Sequence, residues 1–221
     1  MNRLLTQIYG RLYKAYGPRH WWPGETIFEV MVGAILTQNT SWRNVEKAIQ
    51  NLKGAGVLNI KGVHRLEKSQ LARLIRPSGF YRLKTERLMA FVDFLFEHYN
   101  ANLNKMRGEE AEILRRKLLE VKGIGPETAD SILLYGLKKP VFVVDAYTKR
   151  ILSRHGIISE AASYEEVQGL FMNYLPPDER LFNEYHALLV HLGKNVCKKI
   201  PKCDICPLSK GFKGARVQVV K

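Results

Sequence analysis

The residues best suited to do chemistry stand in two short stretches. The first, Val121-Lys122-Gly123-Ile124-Gly125-Pro126, breaks a helical pattern in which Ile113, Leu114, Leu118 and Val121 recur at three-to-four spacing. Gly123 and Gly125 permit positive φ and close approach of another backbone. Pro126 suits the first turn of a following helix, where its missing N–H costs nothing. Two short helices joined this way present backbone N–H groups at a helix N-terminus, where a phosphate oxygen is well received. Lys122, Gly123, Ile124 and Gly125 are thus a candidate phosphate-binding turn, with an ordinary tight helical hairpin as the alternative. The second stretch, Val141-Phe142-Val143-Val144-Asp145, is an extended apolar run too short for a helix, closed by an acid. Asp145 can cap the helix that the pattern over 146–154 predicts.

Three further stretches carry unusual residue types. Trp21-Trp22-Pro23 sets two indoles in a segment that the proline keeps out of regular helix, so that one of them can line a cavity while core packing remains the default. Leu36-Thr37-Gln38-Asn39-Thr40-Ser41-Trp42 is a polar break whose Thr40 and Ser41 can cap the next helix. Cys197, Cys203 and Cys206 sit close together as candidate metal ligands.

These stretches need elements to position them. Apolar periodicity predicts helices over 2–15, 26–40, 43–53 and 66–75, then a long one through Leu88 and Phe96, and further ones over 111–121, 126–135, 146–154, 164–174 and 178–193. Only Val141–Val144 looks strand-like, which argues for an all-α protein. A length of 221 residues supports one or two domains with a good core. Thirty-five Lys and Arg against 21 Asp and Glu leave a net charge of +14, which fits a polyanion partner without separating DNA from RNA or an anionic membrane surface. Three cysteines confined to 197–206 argue against a secreted disulfide scaffold. Arg3, Arg11 and Lys14 interrupt the amphipathic start, so no signal peptide is read, and no apolar run reaches spanning length. The expectation is a cytoplasmic protein, nucleoid-associated if bacterial or archaeal, with no membrane partner.

The Gly-Ile-Gly hairpin followed by Asp145 resembles the helix-hairpin-helix (HhH-GPD) DNA glycosylase superfamily. Within it, Gln38 matches the glutamine that endonuclease III-like members push into the gap left by an extruded nucleotide. Gly79-Phe80-Tyr81 followed by Lys84 matches a Gly-aromatic-Tyr turn and helix-start lysine. The tract from Trp21 to Tyr147 is most similar to the 3-methyladenine DNA glycosylase III group. It includes Trp21-Trp22-Pro23, Leu36–Thr40, Arg76–Tyr81, Val121–Asp130 and Val144-Asp145-x-Tyr147.

The resemblance implies two helical lobes with a DNA-binding cleft between them. One spans 23–137 and carries the hairpin; the other joins 1–22 to 138–221 and carries the catalytic Asp and the Cys loop. It implies a monomer acting on double-stranded DNA that contains a damaged base. Trp21, Trp22 and Trp42 would stack on the flipped base, with Glu127 and Lys194 beside the pocket. Gln38, Lys84 and the residues 122–125 would contact DNA.

Asp145 would stabilise the cationic sugar as the N-glycosidic bond breaks, and would orient or deprotonate a water. Bifunctional members carry a lysine two residues after the second hairpin glycine, and this chain has Glu127, so a monofunctional glycosylase is expected. An alkylated purine such as 3-methyladenine is the expected base. The alternatives are an endonuclease III-like glycosylase/lyase acting on other damaged or mismatched bases and a non-catalytic hairpin DNA-binding module.

The cysteine spacing is close to that of the cluster loop of endonuclease III-like enzymes, in which four cysteines hold a 4Fe–4S cluster. Here Phe212 falls where the last cysteine would stand. Three cysteines favour a degenerate loop, or zinc with a non-cysteine fourth ligand, over an intact cluster; no cofactor is expected to be needed for catalysis.

Duplex binding is expected to weaken linearly in log affinity against log salt, because phosphate contacts release counterions. A flat response in a fluorescence-anisotropy titration would contradict the DNA assignment.

Overall fold

The computed structural model describes residues 1–19, 21–22 and 24–209, and all the regular structure among them is helical. In chain order the helices are α1 (Asn2–Tyr16), α2 (Ile27–Leu36), α3 (Trp42–Gly54), α4 (Ile60–His64), α5 (Lys68–Leu74), α6 (Tyr81–Tyr99), α7 (Leu103–Gly108), α8 (Ala111–Glu120), α9 (Pro126–Ser131), α10 (Ala146–Arg154), α11 (Tyr164–Tyr174) and α12 (Glu179–Asn195). A 3₁₀ turn, Arg76–Ser78, precedes α6, and a π-helical turn, Ile132–Gly136, extends α9. Contacts divide the chain into two compact units, one drawn from Met1–Trp22 and Pro140–Lys221, the other from Pro23–Lys139.

In the 23–139 unit, α2 is the central helix. Thr26 caps it by accepting from the Glu29 amide, and Phe28 to Leu36 are all buried. It packs against α3, α6, α9 and the π-helical turn. The entry to α6 is sharp: Gly79 (φ 68°) and Phe80 (φ 45°) both adopt left-handed backbone, which leaves Phe80 67% exposed. One turn on, Lys84 behaves unlike a surface lysine. It is 1% exposed, and its Nζ donates to the carbonyl oxygens of Leu36 (2.8 Å) and Ser78 (2.7 Å). The side chain thus closes the C-terminal end of α2 and ties it to the turn before α6. This corrects the expectation that Lys84 contacts DNA: its ammonium points into the protein.

In the other unit, α12 packs on α1 and α10. The Tyr185 hydroxyl donates to the Leu5 carbonyl at 2.9 Å. The 141–144 run is non-helical and buried, as its composition suggests, but among the described residues it has no partner strand. Side chains of α11 take that place: the Phe142 carbonyl accepts from Gln168 (2.7 Å), the Phe142 amide donates to Met172 Sδ (3.3 Å), and the Val144 amide donates to the Tyr164 hydroxyl (3.3 Å). Three backbone polar groups of this buried run are thereby satisfied by side chains in place of a sheet.

Burial, with the Arg87 charge adding to it, lowers the Lys84 pKa to about 8 from 10.5. The unfolded chain therefore holds this proton more tightly, and the lysine's contribution to stability rises as pH climbs from 8 towards 10.5. Lys84→Met orphans two buried carbonyls and is expected to cost about 2–4 kcal/mol near neutral pH. Urea unfolding at successive pH values should show the gap to wild type widening through that window.

Candidate DNA-binding and catalytic site

The hairpin is built from α8, the Val121–Gly125 turn and α9. Gly123 takes φ +84°, and a Cβ there would stand 2.7 Å from Arg87 Cδ, so the position needs glycine both for its backbone and for the guanidinium laid across it. Arg87 Nη1 donates to Gln38 Oε1 in a short hydrogen bond. Gln38 Nε2 in turn donates to the Gly123 carbonyl (3.1 Å) and to Thr128 Oγ1 (2.9 Å). The sequence-predicted Gln38 and the hairpin are therefore brought together, with Gln38 engaged on the turn; entering DNA would require releasing these partners. Behind the turn, Arg115 grips Asp130 through Nε (2.7 Å) and Nη2 (3.1 Å). Asp130 is fully buried, so this pair locks α8 to α9.

The outward side of the turn has a different character. Lys122 is exposed, 3.5 Å from Glu86, and Gly123 is exposed too. Ile124 is only 4% exposed, so the residue packs inward, and its amide donates to the Val121 carbonyl at 3.0 Å. This corrects the expectation that Ile124 contacts DNA through the turn. Glu127 is exposed in the first turn of α9, where the helix dipole favours an acid. Trp42, half-buried, opens α3.

In the 1–22 and 140–221 unit, Asp145 is the N-cap of α10. Its Oδ1 accepts from the Thr148 amide at 2.7 Å. Its Oδ2 lies 3.7 Å from Nε2 of His186, a buried histidine of α12 that nothing in its sequence spacing distinguishes. Trp21 and Trp22 meet edge to face, 5.8 Å between ring centroids, and both are half-buried. Gly193 lets α12 approach α10 closely: a Cβ there would stand 2.6 Å from the Tyr147 ring. The exposed Lys194 follows directly.

The three cysteines line one cavity of about 20 Å³, room for a single water-sized sphere. Yet no group of three or more His, Cys, Asp or Glu among the described residues is arranged to hold a metal ion, and Phe212 lies outside those residues. A donor set of three thiols does not fit a four-thiolate cluster. The loop is instead fastened to α10. Arg150 donates to the carbonyls of Gly193 and Cys197 (2.9 Å each); Arg154 donates to those of Lys198 (2.5 Å) and Lys199 (2.9 Å), with Cys197 Sγ at 3.5 Å.

The sequence profile of HhH-GPD superfamily base excision DNA repair proteins matches residues 32–177, a tract that holds Gln38, the hairpin and Asp145. The chain belongs to that superfamily. It is an HhH-GPD DNA N-glycosylase of the endonuclease III-like branch. A protein of Methanocaldococcus jannaschii, provisionally named a DNA repair glycosylase, is 48% identical over 209 residues, 94% of each chain. Endonuclease III of Thermotoga maritima is 30% identical over 81% of this chain and 79% of its own. The H. pylori 3-methyladenine DNA glycosylase, solved with 1,N6-ethenoadenine bound, is 31% identical with a TM-score of 0.72, covering 87% of this chain and 96% of the other.

Within the HhH-GPD hairpin, Gly123→Ala is expected to cost about 1–3 kcal/mol, from left-handed strain and from displacement of Arg87. Thermal unfolding reads the stability loss, and a parallel anisotropy titration should show weaker duplex binding.

Proposed function

We propose that this HhH-GPD enzyme is a monofunctional DNA glycosylase that extrudes a damaged nucleotide from double-stranded DNA and hydrolyses its N-glycosidic bond, with an alkylated purine such as 3-methyladenine as the base. The observation that carries the monofunctional reading is Glu127: an exposed carboxylate stands in the first turn of α9, at the position where a Schiff-base amine would be needed. The alkylpurine reading is supported by the tryptophans Trp21, Trp22 and Trp42 and by the likeness to the H. pylori 3-methyladenine glycosylase.

A base inside a duplex is out of reach, so it must first leave the stack. Lys122 and the backbone of Gly123 and Gly125 would hold phosphates while the duplex bends. Phe80, two-thirds exposed on its left-handed turn, has the form of an apolar wedge for an opened base step, and Gln38 would fill the gap beside it.

The methylated ring is cationic and is drawn to indole faces by about 0.5–2 kcal/mol per contact. As the C1′–N bond breaks, its electron pair returns to the ring and neutralises the base, so no general acid is required. Positive charge passes to the sugar, where the Asp145 carboxylate stabilises it. A water oxygen bonds to C1′, and its proton goes to Asp145 Oδ2, the oxygen not used in capping α10. Lys194 would add positive charge at the rim. The products are a free base and an abasic site on an intact strand, released by a monomer that needs no metal for the chemistry.

Base release from methylated duplex DNA, followed by gel analysis with and without alkali, tests this. Free methyladenine with breaks only after alkali is the expected result. Breaks without alkali, or a covalent adduct trapped by borohydride, would replace it with a glycosylase/lyase. Asp145→Asn should retain duplex binding and lose at least about 100-fold in single-turnover excision.

A further inference from the structure

One buried titratable side chain faces the carboxylate of Asp145. His186 is 5% exposed on α12, and its Nε2 is 3.7 Å from Asp145 Oδ2. The Phe142 ring stands edge-on to it, centroids 6.4 Å apart at 85°. The other carboxylate oxygen is committed to the Thr148 amide, so the imidazole addresses the oxygen left for chemistry. The spacing is fixed by helix packing. Gly193 admits the Tyr147 ring, and Arg150 joins α10 to the carbonyls of Gly193 and Cys197.

We propose that His186 is a positioning residue for Asp145: it backs the carboxylate's second oxygen while uncharged and, on protonation, cancels the carboxylate's field and sets the acid limit of base excision. The inference rests on the reading of Asp145 as the group beside C1′. A neutral imidazole leaves the full negative charge to act on the developing sugar cation. An imidazolium 3.7 Å behind the same oxygen forms a partly buried ion pair and removes most of that field. Burial holds the imidazole below its ordinary range and the Asp145 charge opposes this, so the neutral form prevails at neutral pH.

The neighbouring titratable and charged groups are engaged elsewhere. On α10, Arg150 is bound to carbonyls; on α11, the Tyr164 hydroxyl accepts from the Val144 amide. On α12, the Tyr185 hydroxyl donates to Leu5 and Glu184 accepts from the Arg19 amide, while on α1 the Tyr9 ring lies against Tyr185. Asp145 is the charge that acts on His186.

The test measures single-turnover excision from a methylated-purine duplex between about pH 5 and pH 8, a window spanning imidazole titration. It compares wild type, Asp145→Asn, His186→Asn and the double variant, with duplex affinity and thermal unfolding measured alongside. His186→Asn is expected to be about tenfold slower at neutral pH with unchanged duplex affinity. Its acid limb should move to lower pH, and it should add no further loss in the Asp145→Asn background. An unmoved acid limb, or equal losses in both backgrounds, overturns the proposal.

Should His186→Asn fail to fold, the His186 ring is titrated by NMR in wild type and in Asp145→Asn. Loss of the carboxylate charge should lower its pKa, and an unchanged value overturns the coupling. Full activity in Asp145→Asn would instead defeat the reading of Asp145, an outcome distinct from any failure of His186.

Discussion

The Asp145 carboxylate is divided between two tasks, and much of its unit follows from that division. One oxygen starts α10 by accepting the Thr148 amide, a cap worth about 1 kcal/mol; the other is the one that the proposed mechanism uses. On the proposed mechanism a helix that begins on Asp145 must be held rigid, because any rotation of the helix moves the carboxylate. Arg150 and Arg154, further along α10, supply that rigidity by gripping the end of α12 and the loop beyond it, and Gly193 allows Tyr147 to close the gap. Upstream, α11 fixes the 141–144 run that delivers the carboxylate, using a glutamine, a methionine and a tyrosine in place of a sheet.

The 23–139 unit uses cations in the same internal way. Lys84 closes α2, Arg115 locks the hairpin's two helices through Asp130, and Arg87 lies over Gly123 and holds Gln38. A net charge of +14 thus overstates the surface available to a polyanion. Part of it serves as hydrogen-bond donors to groups that folding would otherwise bury unsatisfied. What remains outward near the turn is Lys122 and Gly123, which in the proposed function would meet a phosphate backbone and not a base sequence.

The longer helices were legible from their apolar period, and for three of them a cap residue fixed the start. Asp145, Ser163 and Asp178 each precede a helix that begins where the sequence places it, within a residue. The short α4 and α7, five and six residues long, leave too little periodicity to read. The hairpin was legible because glycine and proline have few other reasons to occur in that order. Lys84 was misread because a sequence displays its charge and not its burial. Arg87 and His186 gave no signal at all: their contacts join residues far apart in sequence, Arg87 with Gln38 across 49 residues and His186 with the carboxylate of Asp145. Such pairs exist only after the chain has folded.

The arginine grip on the cysteine loop has a consequence for how this region can change over evolutionary time. A loop whose shape depends on a metal must keep every ligand, since losing one releases the ion and the fold together. Here guanidinium donors hold the backbone carbonyls of Cys197, Lys198 and Lys199 directly, and those carbonyls are present whatever side chain the residue bears. The geometry is thus insulated from cysteine loss. Selection acting on shape alone would retain Arg150 and Arg154 and leave the thiols to drift.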